Sequence, residues 1–131
     1  MIVLDSSAAV ALISETGPGA ESLTNRVEAE RERAAPHLVD PEASRALRRL
    51  ARAGEAEITE IPRLLAEFLD LRIQRYPHVA LLPRVWELRD TVGAYDAFYV
   101  ALAEALACPL VTTDARLARA HGHEAEIELF A

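Results

Sequence analysis

The apolar positions of this chain follow two rhythms, short unbroken runs and runs at helical spacing, and the two alternate. Residues 2–4 are an apolar run that stops at Asp5. Ser6 and Ser7 follow, and residues 8–13 read as a helix whose first free N–H groups a serine at the junction can satisfy. The break Thr16-Gly17-Pro18-Gly19 separates it from an amphipathic helix over residues 20–31. Residues 34–39 form a second strand, in which Pro36 has to sit at the start or near an edge. Asp40-Pro41 opens the next helix, since proline near the first helical position lacks only an N–H that has no partner there. That helix runs to about Ala53 and ends at Gly54.

Farther on, Ile61, Leu64, Leu65, Phe68 and Leu69 mark a helix over residues 60–70. Residues 72–76 are a short strand closed by Pro77, and a helix holding Val85, Trp86 and Leu88 comes next. The chain finishes with a helix over 94–107, a strand over 109–113, a short helix over 115–120 and a strand over 127–130. Strands alternating with helices predict an α/β fold with a parallel sheet covered on both faces. There is no internal repeat, low-complexity tract or linker, so residues 1–131 are expected to form a single domain.

Composition narrows the function classes. An apolar fraction of 51% excludes a disordered or fibrous chain. The net charge is −7 and every basic residue is arginine. Such a chain is poorly suited to coating nucleic acid through general counterion release. It can still act on nucleic acid where its positive charge is local and its negative charge holds cations. The lone Cys108 excludes an internal disulfide framework and fits a reducing compartment. No basic leader precedes the first strand, and no apolar stretch approaches the roughly 18 residues a bilayer requires. A cytoplasmic protein with no membrane partner is the expectation.

The candidate chemistry lies in four acids. Asp5 and Asp114 both end apolar runs, and in open parallel sheets functional groups collect beyond the carboxyl ends of the strands. Glu42 and Asp96 each fall in the first turn of a helix. Taken singly, the helix positions suit the macrodipole, and Asp114 suits an N-cap. Taken together, the four raise an electrostatic problem. Two unit charges about 4 Å apart repel by about 4 kcal/mol at an effective dielectric of about 20. Either the carboxyl pKa values rise or a cation neutralises them. Oxygen ligands of this kind favour Mg²⁺, with Mn²⁺ as substitute, and such an ion activates water and offsets phosphate charge.

The same residues carry a family resemblance. Ile2-Val3-Leu4-Asp5-Ser6-Ser7-Ala8 resembles the opening of PIN domains, and Pro41-Glu42-Ala43 through Leu47-Arg48-Arg49-Leu50 resembles their glutamate-bearing helix. Tyr95-Asp96-Ala97-Phe98-Tyr99-Val100-Ala101-Leu102-Ala103 is very similar to the most recognisable segment of VapC toxins. Leu110-Val111-Thr112-Thr113-Asp114 matches their strand with a Thr-x-Asp ending. The likeness spans nearly the whole chain; residues 55–92 carry no matching motif.

The resemblance implies a three-layer α/β/α sandwich with four to five mostly parallel strands and a Mg²⁺-dependent endoribonuclease toxin of a type II toxin–antitoxin system. It implies Asp5 and Asp96 as principal metal ligands, with Glu42 and Asp114 completing the catalytic site. Ser6 and Thr112 would orient carboxylates or waters. In-line attack by an activated water would leave a 5′-phosphate and a 3′-hydroxyl. The implied partners are an RNA of the tRNA or rRNA class, a cognate VapB-like antitoxin and a second copy of the chain.

Other residues carry less. Arg45, one turn from Glu42, can grip a phosphate in bidentate fashion, although arginines at such spacing are common on helix surfaces. His121 and His123 lack companion zinc ligands and suit a helix end. Trp86 and Tyr95 read as packing residues, Tyr95 with the option of lining the substrate groove, and Cys108 reads as a small core residue. The apolar residues between Ile61 and Leu88 exceed what one covering helix needs, which leaves a homodimer face or an antitoxin groove as alternatives to core packing. Receiver domains and haloacid-dehalogenase-like phosphatases share an aspartate after the first strand, but both rely on a lysine, and this chain has none. The remaining alternatives are a catalytically silent PIN-like scaffold and a nuclease acting on structured DNA.

Overall fold

Strand β1 (Ile2–Leu4) has no polar side chain to show to water, and all three of its residues are fully buried. In the computed structural model, which describes residues 1–131, it occupies the centre of a five-stranded sheet. The strand order is β3-β2-β1-β4-β5 and every pairing is parallel, with β2 at Arg33–Pro36, β3 at Gln74–Tyr76, β4 at Leu110–Thr112 and β5 at Ile127–Leu129. Parallel neighbours need long crossovers, and the helices supply them.

Helices α1 (Ser6–Ser14), α2 (Ala20–Glu28), α3 (Val39–Arg52) and α4 (Ile61–Asp70) connect the strands of one half, with α1 packed against the other three. Helix α5 (Leu82–Glu87) packs on α6 (Asp96–Leu106), which lies along β1, β2 and β4; α7 (Ala115–Ala118) leads to β5. The result is a three-layer α/β/α sandwich. Helix α6 buries Ala97, Tyr99, Val100, Ala101, Leu102 and Ala103, so it is apolar nearly all round. No helix is long and apolar enough to cross a membrane.

The chain proceeds from β1 outward to β3, then returns to the other side of β1 to add β4 and β5. The switch in direction falls between β1 and β4, and the crevice above their carboxyl ends is where open α/β sheets place ligands. The register matches Val3 with Leu110 and Leu4 with Val111, so Asp5 and Thr112 emerge side by side.

Several boundaries depart from the sequence pattern. The second strand stops at Pro36, and residues 37–39 turn into α3, which Val39 rather than Asp40 begins. Pro36 ends an interior strand instead of starting one or lying on an edge. Pairing of β2 with β1 involves Arg33 and Ala34, so the proline lies beyond that ladder and its missing N–H breaks nothing there. Helix α1 is capped by Asp5, whose carboxylate accepts from the Ala8 N–H, and Ser6 is its first residue. Trp86 and Tyr95 do not pack inward; they are 66% and 58% exposed. His123 sits against the Ala120 carbonyl just beyond α7 at 3.0 Å, the helix-end position expected for it.

Candidate active site at the strand switch

Asp5 is only 4% exposed, and both its oxygens are engaged. Oδ1 accepts from the Ser7 hydroxyl at 2.7 Å and the Ala8 N–H at 2.8 Å, and Oδ2 accepts a short hydrogen bond from the Thr112 hydroxyl. Burial pushes the carboxyl up to about 6, against the three hydrogen bonds, which pull it down; the charge of Asp96 adds to the rise.

Thr112 couples the two strand ends. Its hydroxyl donates to Asp5 and accepts the Asp114 N–H at 3.0 Å. Asp114 in turn caps α7 through the Arg116 N–H at 2.8 Å. Capping and a place at the site are thus compatible roles for this residue. The Ser7 oxygen accepts the Thr113 N–H at 3.1 Å, which closes the network around the β1–β4 junction.

Asp96 opens α6 and is half-buried. Burial raises its carboxyl, the charge of Asp114 raises it further, and Arg116 draws it back. Glu42 follows the same pattern on α3. Burial raises it, a hydrogen bond from Tyr99 lowers it, and Asp96 raises it again, while Ser6 and Arg45 lower it. The charge of Asp96 thus opposes ionisation of both Asp5 and Glu42, and that of Asp114 opposes ionisation of Asp96. Arg75 fixes the entry of α3 by a salt bridge to Asp40 at 2.7 Å, two residues before Glu42.

A cavity of about 540 Å³ opens beside Glu42, lined among others by Ser6, Ser7, Arg45 and Arg49. Arg45 thus shares this cavity with Glu42. The sequence assigned Ser6 and Thr112 to orient carboxylates: Thr112 does so for Asp5, and Ser6 faces Glu42 and Tyr99. Two residues escaped that assignment. Ser7 bonds Asp5, a partner two positions away in a D-x-S pattern. Tyr99 bonds Glu42, and its place one turn after Asp96 on the same face of α6 was the available signal.

No three of the acids converge tightly enough to cage an ion by themselves. The donor set nevertheless fits Mg²⁺, which keeps several waters and takes only one or two carboxylates directly. Oxygen donors alone, with burial opposing ionisation at Asp5, Glu42 and Asp96, suit a hard cation better than a soft one.

Comparison with known proteins bears on this arrangement. Residues 2–122 match the PIN domain family. The chain is 46% identical over 117 residues to the VapC ribonuclease Mb0985 of Mycobacterium bovis, covering 89% of this chain and 88% of that one. It is 42% identical over 131 residues to ribonuclease VapC12 of Mycobacterium tuberculosis, with both chains covered in full. Among solved structures, VapBC2 of Rickettsia felis, bound to a DNA fragment from its promoter, superposes with a TM-score of 0.70 at 17% identity over the whole of both chains. That likeness speaks to the fold.

Proposed function

Because the chain belongs to the PIN-domain family, and within it to the VapC ribonucleases, we propose that it is a Mg²⁺-dependent endoribonuclease toxin that hydrolyses RNA phosphodiester bonds. The observation that supports the metal-dependent part is the oxygen-only network at the strand ends, where Thr112 joins Asp5 to Asp114 and Tyr99 joins Glu42 to the helix that Asp96 opens, with burial opposing ionisation at Asp5, Glu42 and Asp96. Asp5 and Asp96 are the residues that would hold the ion, with Asp114 and Glu42 binding it directly or through its waters. When bound, the ion supplies a water of lowered pKa and positive charge against the phosphate.

The protein's own residues do the rest. Ser7, Thr112 and the Ala8 N–H fix Asp5, so the carboxylate needs little reorganisation when the substrate arrives. Tyr99 holds one oxygen of Glu42. Arg45, which lines the same cavity as Glu42, is the residue we assign to a phosphate oxygen. The product expected of in-line attack carries a 5′-phosphate and a 3′-hydroxyl.

The partners we propose are a structured RNA of the tRNA or rRNA class, a VapB-like antitoxin and a second copy of the chain, all within the cytoplasm. Exposed apolar side chains such as Leu65, Leu69, Leu82 and Trp86 are surface that the two protein contacts would cover. Retention of all four acids speaks against a silent scaffold.

The test is cleavage of RNA by purified protein. Activity with Mg²⁺ or Mn²⁺, its loss on chelation, and its loss in Asp5→Asn and Asp96→Asn with the fold intact by circular dichroism are the expected results. Activity that survives both substitutions overturns the site.

A further inference from the structure

Five of the fourteen arginines in this acidic chain make ion pairs, Arg116 with Asp114 among them. Arg26 bonds Glu30 and Glu128, Arg63 bonds Glu60 and Glu67, Arg75 bonds Asp40, and Arg84 bonds Glu87 and Glu104. Arg31, Arg72 and Arg119 are exposed and unpaired as single residues in separate segments, whereas helix α3 carries four unpaired arginines together. Arg45, Arg48, Arg49 and Arg52 are all exposed, and none of them makes a hydrogen bond or ion pair within the chain. At about 100° per residue they fall within an arc of about 100° on one side of the helix.

The four line a cleft of about 410 Å³ that has no other lining residue. Arg45 and Arg49 also line the cavity beside Glu42, so the two hollows are neighbours. At 1.5 Å per residue the stripe runs about 10 Å along the helix from Arg45 to Arg52, farther than a single phosphate group can occupy. Four guanidinium groups left side by side without counter-charges repel one another, and an anion with repeated charge relieves that repulsion. Arginine suits phosphate because its planar fork donates two parallel hydrogen bonds.

We propose that this arginine stripe seats the backbone of the single-stranded RNA that flanks the scissile phosphate, and that it does so without reading bases. The inference rests on the ribonuclease reading above and extends it from the reacting centre to the path of the substrate. The stripe carries no aromatic side chain on which a base could stack, so its grip is on phosphates. It also explains how a chain of net charge −7 approaches RNA: the acids are concentrated where a cation is wanted, and the free arginines lie where the strand must pass.

The test uses the Asp96→Asn protein as a cleavage-deficient background and a fluorescent single-stranded RNA of about 15 nucleotides as probe, with binding followed by anisotropy across a salt series. Adding Arg48→Gln and Arg52→Gln should lower affinity and reduce the slope of log K against log salt by about 1.4, since each phosphate contact on a single strand contributes about 0.7. Arg31→Gln, which changes an exposed arginine before β2 at the opposite end of the sheet, should leave the slope in place. Arg48→Lys with Arg52→Lys should restore the slope, which separates lost charge from misfolding. An unchanged slope in the glutamine variant overturns the proposal. So does a variant that loses affinity for a purified antitoxin while keeping its RNA slope, because the stripe would then be a protein-binding face. Failure of the ribonuclease reading shows separately: the unsubstituted protein would leave RNA uncut with Mg²⁺ at every salt concentration.

Discussion

Tyr99 of α6 donates its hydroxyl to Glu42 Oε1 of α3 at 2.5 Å, and this bond joins the two helices that bring acids to the rim. The tyrosine ring is 1% exposed, so the donor is anchored by packing before the carboxylate meets it. One Glu42 oxygen is thereby oriented and the other is left for the site. Burial, and then the bond to Glu42, push the phenol well above its ordinary range, which keeps it a donor at every working pH.

Tyr99→Phe retains the ring and removes the bond. The expected loss in kcat is about 10- to 100-fold, the usual scale for a residue that orients a metal-site carboxylate. The cost in stability is about 1 kcal/mol. Because the hydrogen bond lowers the Glu42 carboxyl, its removal should also shift the acid limb of the pH–rate profile to higher pH. Steady-state kinetics from pH 5 to 9, alongside urea unfolding, check both parts. A stability loss without the kinetic one would reduce Tyr99 to a packing residue.

Thr112 is fully buried and serves two masters, Asp5 as donor and the Asp114 N–H as acceptor. Thr112→Val preserves shape and leaves the Asp114 N–H without its acceptor and Asp5 Oδ2 without its donor, while Oδ1 keeps Ser7 and the Ala8 N–H. A destabilisation of about 1–3 kcal/mol follows from an unsatisfied buried group. Thr112→Ser keeps the hydroxyl and should lose much less in activity. Comparing urea midpoints and cleavage rates of the two variants separates the hydrogen bonds from the methyl group.

Much of this site was legible in the sequence because each acid marks the end or the beginning of a strongly patterned element. Asp5 and Asp114 follow apolar runs, and Glu42 and Asp96 open helices. What escaped depends on register across the sheet. Ser7 meets Thr112 and Thr113 only because β1 and β4 are adjacent, and periodicity within a strand carries no information about its neighbours. Tyr99 lies inside an apolar run whose character pointed to burial, and only its place one turn after Asp96 marked it for the site. Trp86 shows the opposite failure. Trp86 and Leu88 lie about 200° apart around a helix, so a single short helix such as α5 cannot bury both. Leu88 is buried, and Trp86 faces outward with Arg89 over its ring at 4.5 Å.

Gly19 ties the opening of α2 to the carboxyl-terminal strand in a way that no local pattern reveals. Its φ of −94° suits any residue, but an added Cβ would lie 2.8 Å from the backbone carbonyl carbon and oxygen of Phe130. Gly19→Ala must therefore displace backbone, at a cost of about 1–3 kcal/mol. A lowered melting temperature with cleavage chemistry retained at low temperature is the expected outcome. An unchanged melting temperature would show that the end of the chain yields without cost.

The buried carboxyl of Asp5 makes the site a liability for the metal-free fold. Its pKa stands at about 6 in the folded protein, above its ordinary value, so the folded state binds the extra proton between those limits. The stability associated with protonated Asp5 is therefore fully present at low pH, where other groups set their own limits. It is lost as pH rises from about 4 through about 6. The corresponding cost of ionising Asp5 in the fold is about 3 kcal/mol. Asp5→Asn removes that cost while keeping the shape, with the amide oxygen able to accept from Ser7 and Ala8 and the amide nitrogen facing the Thr112 hydroxyl. In chelator at pH 8 the variant should melt about 5 °C or more above the parent, and the difference should shrink toward pH 4.5. Saturating Mg²⁺ should raise the parent's melting temperature at pH 8 and leave the variant's nearly unchanged, since a bound cation offsets the charge that burial penalises. Thermal melts at the two pH values, with and without Mg²⁺, decide the matter, and a variant no more stable than its parent at pH 8 in chelator would falsify the electrostatic account of Asp5.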